Sequence, residues 1–330
     1  MGTHTAADKR EWRAYHAATA PALFTAKRAA GPLPVAVPAT AAEYLAGRRA
    51  LLDQRLSDVE AKAAADALED VTIKDGYMKI TPLKAVTPEA AEDLTTRLYG
   101  MIPNARITSL LAEVHRWTGF ANLFTHQQTD LPADDPRIVL TGVLAEATNL
   151  GLSRMADACS VASLRKLAWT AGWHLREDTY RSALAMLVNV QHSQPLATLF
   201  GAADISSSDG QGFPTAGRGE AVGAINAHYG REASALFYTH VSARHAPYHT
   251  VAIPPSGEAA HVIDGLLYHE ADLSISVHHT DGGGVSDHVF ALAHLLAFRA
   301  THPQPCRAPA LWLRTDIKLA GAGAVHRRAP

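Results

Sequence analysis

Two aspartates sit where carboxylates can hold divalent cations. Asp209 closes the run Ser206-Ser-Ser-Asp209-Gly210, and Asp281 precedes Gly282-Gly-Gly284. Each ends a stretch that reads as β-strand, Ala203 to Asp209 and Leu273 to Asp281. A carboxylate at a strand end is ordinarily a solvated turn residue, so position alone makes neither a catalyst. Joint placement changes this. On neighbouring strands, acids 72 positions apart meet in space, and paired hard oxygen ligands suit Mg2+ or Mn2+. Two such ions, about 3.5–4 Å apart, serve phosphoryl transfer by activating the attacking oxygen and stabilising the leaving one. In that chemistry Asp209 bridges or ligates the metals and Asp281 ligates one.

The elements around the two acids are ordered to bring them together. After the first strand come strands over Ser234–Val241 and Tyr248–Ile253, a helix over Gly257–Tyr268, the Asp281 strand, and a helix from Asp287 to about Leu296. Strand, strand, strand, helix, strand, helix is the opening of a ribonuclease-H-like fold, in which the first and fourth strands are neighbours. Upstream, the pattern is mostly helical. Apolar residues recur at helical spacing over Thr40–Glu69, and helices are expected over Pro88–Leu98, Thr108–Trp117 (Thr108 as N-cap), Asp135–Asn149, Ser163–Trp173 and Glu177–Val190. Val71 to Ile80 reads as a hairpin, with Asp75-Gly76 at its turn. The expected fold class is α/β: a mostly helical region over 1–195 with the hairpin near 71–81, a partial ribonuclease-H-like core over 196–299, and a divergent, disordered tail over 300–330.

Bulk composition narrows the function classes. The 330 residues are 47% hydrophobic and 19% charged, enough apolar content for a buried core. Two unpatterned cysteines, Cys159 and Cys306, exclude a disulfide framework and suit a reducing cytoplasm. Met1 to Trp12 is polar and charged, without the apolar core of a signal peptide, and no long uncharged apolar run spans a membrane. The net charge of −2 lacks the basic excess common in nucleic-acid-binding domains, so a nucleic-acid role has to rest on local features.

Those local features are specific. Ser206-Ser-Ser-Asp-Gly-Gln211, Gly217-Arg-Gly-Glu220, Asn226, Tyr229-Gly230, Phe237-Tyr-Thr-His240 with Val241-Ser242, Asp264-Gly-Leu-Leu-Tyr-His-Glu270, His279-Thr-Asp281 and Ser286-Asp-His-Val-Phe290 follow one another along the chain. Upstream stand Ala29-Ala-Gly-Pro-Leu-Pro34, Lys79-Ile-Thr-Pro82, Glu113-Val-His-Arg-Trp-Thr-Gly-Phe120 and Asn149-Leu-Gly-Leu152. In this order the segments resemble an interior stretch of the Tn-three family (class II, replicative) of DDE transposases, from about Trp12 to Arg299. The resemblance implies proteins that nick the 3′ ends of a transposon and join them to target DNA to give a cointegrate. It implies Mg2+ or Mn2+ as cofactor, with Asp209 and Asp281 as the first two catalytic, metal-binding acids. Its implied partners are transposon terminal inverted repeats, target DNA and, for the parent protein, a second copy. Its implied location is the bacterial cytoplasm, at the nucleoid.

The chain departs from the family pattern in places. Gly282 stands where the family has a hydroxyl residue, and Gly212 where it usually has a larger one. After Arg299 the family continues through a Phe-Ala-Pro-Arg stretch, a helical insertion and then a catalytic Glu. Here residues 299–330 hold six Lys or Arg, one acid (Asp316) and no Glu, and only 49 residues follow Asp281. The expectation is a frameshifted or truncated gene and a chain inactive for want of the third acid. Met1 likewise reads as internal to a longer protein. A downstream reading frame restoring the Phe-Ala-Pro-Arg stretch would bear this out; its absence from the locus would reject it.

Other signals are weighed against this one. His278, His279, Asp287 and His288 crowd Asp281 without zinc-site spacing. Gly282-Gly-Gly284 lacks the lysine and spacing of a phosphate loop and reads as an active-site turn. Arg218 either contacts DNA phosphate or pairs with Glu220, and His240 and Arg244 are further candidate DNA contacts, with solvation the simpler account of Arg244. Trp117, Trp169 and Trp173 are expected in cores. A non-catalytic DNA- or protein-binding fragment that regulates an intact transposase is the alternative function. A metal hydrolase completed by Asp287 or Asp316 is a more distant one.

Overall fold

A computed structural model describes residues 37–301, apart from 39, 69–70, 75–76, 82–86, 216–232, 255–256 and 285. The chain divides into two units, Pro32–Pro103 and Asn104–Pro303, with the terminal segments outside the described residues.

The described part of the first unit holds α1 (Ala41–Ala64), an antiparallel pair β1 (Val71–Lys74) and β2 (Tyr77–Ile80), and α2 (Glu89–Met101). The hairpin forms with Val71 opposite Ile80 and Lys74 opposite Tyr77. Its expected Asp75-Gly76 turn lies outside the described residues. Leu45, Leu51, Leu52 and Val59 of α1 recur at helical spacing yet are exposed.

The second unit begins with helices whose ends are written into the sequence. They are α3 (Ile107–Thr118), α4 (Pro136–Ala147), α5 (Leu152–Ala158), α6 (Leu164–His174) and α7 (Glu177–Ser193). Asp135 caps α4 by accepting from the Arg137 N–H at 3.0 Å, with Pro136 at the first helical position, where its missing N–H costs nothing. Ser163 caps α6 through the Lys166 N–H at 3.4 Å. Gly119 ends α3 with φ of 71°, the left-handed conformation that glycine adopts without strain. Thr108 is not the cap expected of it: α3 starts one residue earlier, with Arg106 at the cap position. Helix α5 was not anticipated.

Beyond α7 lies a five-stranded mixed sheet of β3 (Ile205–Pro214), β4 (Ser234–Ser242), β5 (Pro247–Ile253), β6 (Val277–Thr280) and β7 (Arg299–Thr301), in the order β5-β4-β3-β6-β7. β4 lies between β3 and β5 and pairs antiparallel with both, while β6 runs parallel to β3 and β7 parallel to β6. Helix α8 (Ala259–Leu267) precedes β6, and α9 (Asp287–Leu295) follows it. β3 runs longer than its sequence suggests because β4 pairs with it as far as Pro214↔Ser234. β6 is shorter. Leu273 and Ile275 are buried, but the chain joins the ladder only at Val277, after Ser276 and Val277 have both donated to the Asp204 carbonyl.

One core cluster lies against the sheet. It joins Leu236, Tyr238 and Ile253 to Val262 and Leu266 of α8, Val289 and Ala293 of α9, and Ala185 and Val188 of α7. Two smaller clusters hold the upstream helices, one around Phe120, Phe124 and Val139, the other around Ile138, Met155 and Leu167. Trp117 and Trp169 are exposed at 68% and 51%, so the helical setting that suggested burial does not deliver it. Trp173 is half-buried and stacks on His126.

Candidate active site on the mixed sheet

β3 alternates along its first half: Ser206 and Ser208 are buried, while Ser207 and Asp209 are exposed. The parallel ladder to β6 aligns Ser207 with His279 and ends at Ser208↔Thr280. Asp209 and Asp281 each lie one residue past that last pair. Neighbouring strands are about 4.8 Å apart and side chains alternate with period two, so the two aspartates leave adjacent strands on the same face. Both are exposed. Thr239 of β4 faces Asp209 from the other side. A shallow groove on this face is lined by Ser207, Asp209, Gln211, Phe237, Thr239 and Val241, among others.

Each carboxylate is held through one oxygen. Asp281 Oδ1 accepts from the Gly283 and Gly284 N–H groups at 3.1 and 3.2 Å, which folds the glycine turn around it. Asp209 Oδ1 accepts from the Gly210 N–H at 2.8 Å. Oδ2 takes no part in these bonds in either residue. The turn needs glycine because it runs close to other groups. A Cβ on Gly284 would overlap Thr280 Oγ1 and lie 3.1 Å from the Tyr238 hydroxyl.

A third acid stands beside the pair, and the sequence reading passed over it. Glu258, at the N-terminus of α8, is 4% exposed. A Cβ on Gly283 would lie 2.7 Å from Glu258 Oε2 and 3.4 Å from Asp281 Oδ1, while one on Gly210 would overlap Glu258 Oε1. Glu258 therefore packs between the segments that carry the two aspartates. No sequence signal marks it, since a glutamate before an apolar helix reads as an ordinary helix start. Burial, followed by the charges of Glu258 and Asp281, raises the Tyr238 pKa against its hydrogen bonds with Ser208 and Thr280, which lower it.

The candidate DNA contacts fall differently. Arg218 lies outside the described residues, as do Glu220, Asn226 and Tyr229. His240 does not face outward. It shares the parity of Leu236 and Tyr238 along β4, so it points into the core, is fully buried, and has Nε2 3.1 Å from the Val262 carbonyl. Arg244 is half-buried and donates to the His192 and Gly201 carbonyls at 2.6 and 3.4 Å, a structural tie between the β4–β5 turn and the end of α7. Zinc finds no cluster: among the described residues no group of three or more His, Cys, Asp or Glu could hold a metal ion.

A mixed α/β sheet with two acids side by side, each one residue past the last β3–β6 rung, defines the class of candidate site. The particular family follows from comparison with known proteins. Residues 109–302 match the family described as "Tn3 transposase DDE domain", and the chain belongs to that family. It is 44% identical over 280 residues to the transposase for transposon Tn21 of Escherichia coli, 42% identical over 277 residues to that for Tn501 of Pseudomonas aeruginosa, and 34% identical over 260 residues to that for Tn1546 of Enterococcus faecium. These matches cover 84%, 84% and 78% of this chain, but only 28%, 28% and 26% of those proteins.

Proposed function

We propose that this chain carries two carboxylates of a divalent-metal site that performs phosphoryl transfer on DNA during transposition. The observation that carries the reading is the register: Asp209 and Asp281 each sit one residue past Ser208↔Thr280, on adjacent parallel strands. The strand order β5-β4-β3-β6-β7, with three antiparallel strands followed by two parallel to the first, supports a ribonuclease-H-like core. Mg2+ or Mn2+ suits the donor set, because both aspartates are exposed and keep Oδ2 out of the backbone hydrogen bonds that fix Oδ1. Bound there, the ions would polarise the attacking and leaving oxygens of the phosphoryl group. The chain's own part is to fix the two carboxylates and to keep the adjoining groove open to a DNA strand.

Family membership supports transposon ends and target DNA as substrates, a second copy of the protein as partner, and the bacterial cytoplasm as location. Among the described residues no helix is long and apolar enough to cross a membrane. Arg218 is retained as a candidate phosphate contact. In the alternative reading the chain regulates an intact transposase without catalysis.

Calorimetric titration of the 330-residue chain with Mn2+ tests the metal site. Heat of binding is expected for the unaltered chain and is expected to vanish in both Asp209→Asn and Asp281→Asn. Binding that persists in the two variants rejects the assignment. Incubation with a transposon-end oligonucleotide and Mn2+ separates the functional readings. Nicking abolished by Asp209→Asn supports catalysis by this chain, whereas a mobility shift without nicking supports the regulator.

A further inference from the structure

The backbone ladder stops short of the acids, so something else must hold Asp281 beside Asp209. β6 contributes only four residues to its pairing with β3, and neither aspartate belongs to a rung of that ladder. The layer just below is joined by side chains. Tyr248 donates to Ser206 Oγ at 3.1 Å, and Ser206 Oγ lies 2.8 Å from His278 Nδ1. His278 Nε2 lies 2.9 Å from Ser208 Oγ, which lies 2.6 Å from the Tyr238 hydroxyl, itself 3.5 Å from Thr280 Oγ1. All six residues are buried. They come from β5, β3, β6 and β4, so the chain of contacts crosses four of the five strands of the sheet.

We propose that this buried chain, centred on His278 and Ser208, is a positioning network that sets the spacing between Asp209 and Asp281; it rests on reading those aspartates as one site. Proton counting gives the network a single direction. Ser206 accepts from Tyr248, so its own proton finds a partner only at His278 Nδ1. His278 must then carry its proton on Nε2 and donate to Ser208, which donates to Tyr238, which donates to Thr280. The four hydroxyls ahead of Thr280 each donate once and both ring nitrogens of His278 are partnered, the condition under which such a network rigidifies a core. A doubly protonated imidazole would strand the Ser206 proton. The neutral ring is favoured by burial, which together with the nearby His279 pushes the His278 pKa down to about 4. His240 stacks on the ring from the core side, with centroids 5.3 Å apart, and keeps it from turning.

The test measures spacing and does not depend on metal or catalysis. In the full chain with Cys159→Ser and Cys306→Ser, cysteines replace Asp209 and Asp281, and the rate of oxidative cross-linking is read by mass. Adjacent strands put the two Cα atoms at about 5 Å, within disulfide range, so rapid cross-linking is expected. Adding Ser208→Ala, or Tyr238→Phe as the gentler change, is expected to slow it by about fivefold, the factor carried by one ordinary buried hydrogen bond, while the variants still melt cooperatively. An unchanged rate in a folded variant overturns the network and leaves the acid pair standing. No cross-linking in the starting pair overturns the acid pair, and the network with it. Nitrogen NMR of His278 in the unaltered chain gives a readout that no folding defect can blur. A neutral ring protonated on Nε2 at pH 7 is expected, and a proton on Nδ1 overturns the ordered chain.

Discussion

At the scale of single residues, the site is defined by close approach. Gly210 follows Asp209 in β3, and its missing side chain is the space that Glu258 fills. Gly210→Ala is expected to cost about 1–3 kcal/mol, the usual penalty for forcing an extra carbon into a packed interior. The measurement is the urea unfolding midpoint of the variant against the unaltered chain. Gly47, with open space where a Cβ would go, is the control. Gly47→Ala in the middle of α1 should stabilise slightly if anything, because alanine is the better helix former. Gly210 thus differs from Gly47 by what its neighbour needs, and no local pattern separates the two.

At the scale of elements, caps and ladders divide the work. Upstream of the sheet, α4 and α6 begin at side chains that satisfy their first N–H groups. Asp135 does so most fully, since its carboxylate also pairs with the Arg137 guanidinium at 2.7 Å. Asp135→Ala is expected to cost about 1 kcal/mol; Ser163→Ala, with its longer 3.4 Å bond, should cost less. Thermal denaturation of the two variants checks the order. In the sheet, β3 is the pivot: it has nine residue pairs with β4 but only four with β6. Side-chain bonds between Ser206, Ser208 and His278 add to that short ladder, and the proposed positioning role of His278 and Ser208 belongs to this scale.

At the scale of the whole molecule, the buried imidazoles make stability depend on pH. Burial lowers the His278 pKa to about 4 and that of His240 well below its ordinary value. In the unfolded chain both rings take up protons near pH 6.5. Between about 6.5 and 4 the unfolded state therefore binds more protons than the folded one, so stability falls as pH falls through that window. For His278 alone the full loss is about 3 kcal/mol. The urea midpoint is expected to drop between pH 7 and pH 4.5, and a midpoint that stays level or rises on acidification would contradict the buried neutral rings. The Mn2+ titration belongs to this scale as well, because the acids it probes come from distant parts of the chain.

Much of this molecule is legible in one dimension. Alternation over Ser234–Val241 and Tyr248–Ile253, helical spacing around α4, α6, α7, α8 and α9, and the capping residues Asp135 and Ser163 all report on local structure, because backbone geometry and N–H satisfaction are local demands. The motifs around Asp209 and Asp281 carried family membership. Tertiary structure alone decided the rest. β7 and the true extents of β3 and β6 depend on which partner strand is present, not on the segment's own pattern. His240 was misread as a possible DNA contact although its parity with Leu236 and Tyr238 was available; only the packed sheet shows which face is core. Trp117 and Trp169 stay exposed because an apolar stripe is buried only where another element covers it. Glu258 had no signal at all, since it reaches the acids by packing across the fold, 49 residues from Asp209 and 23 from Asp281.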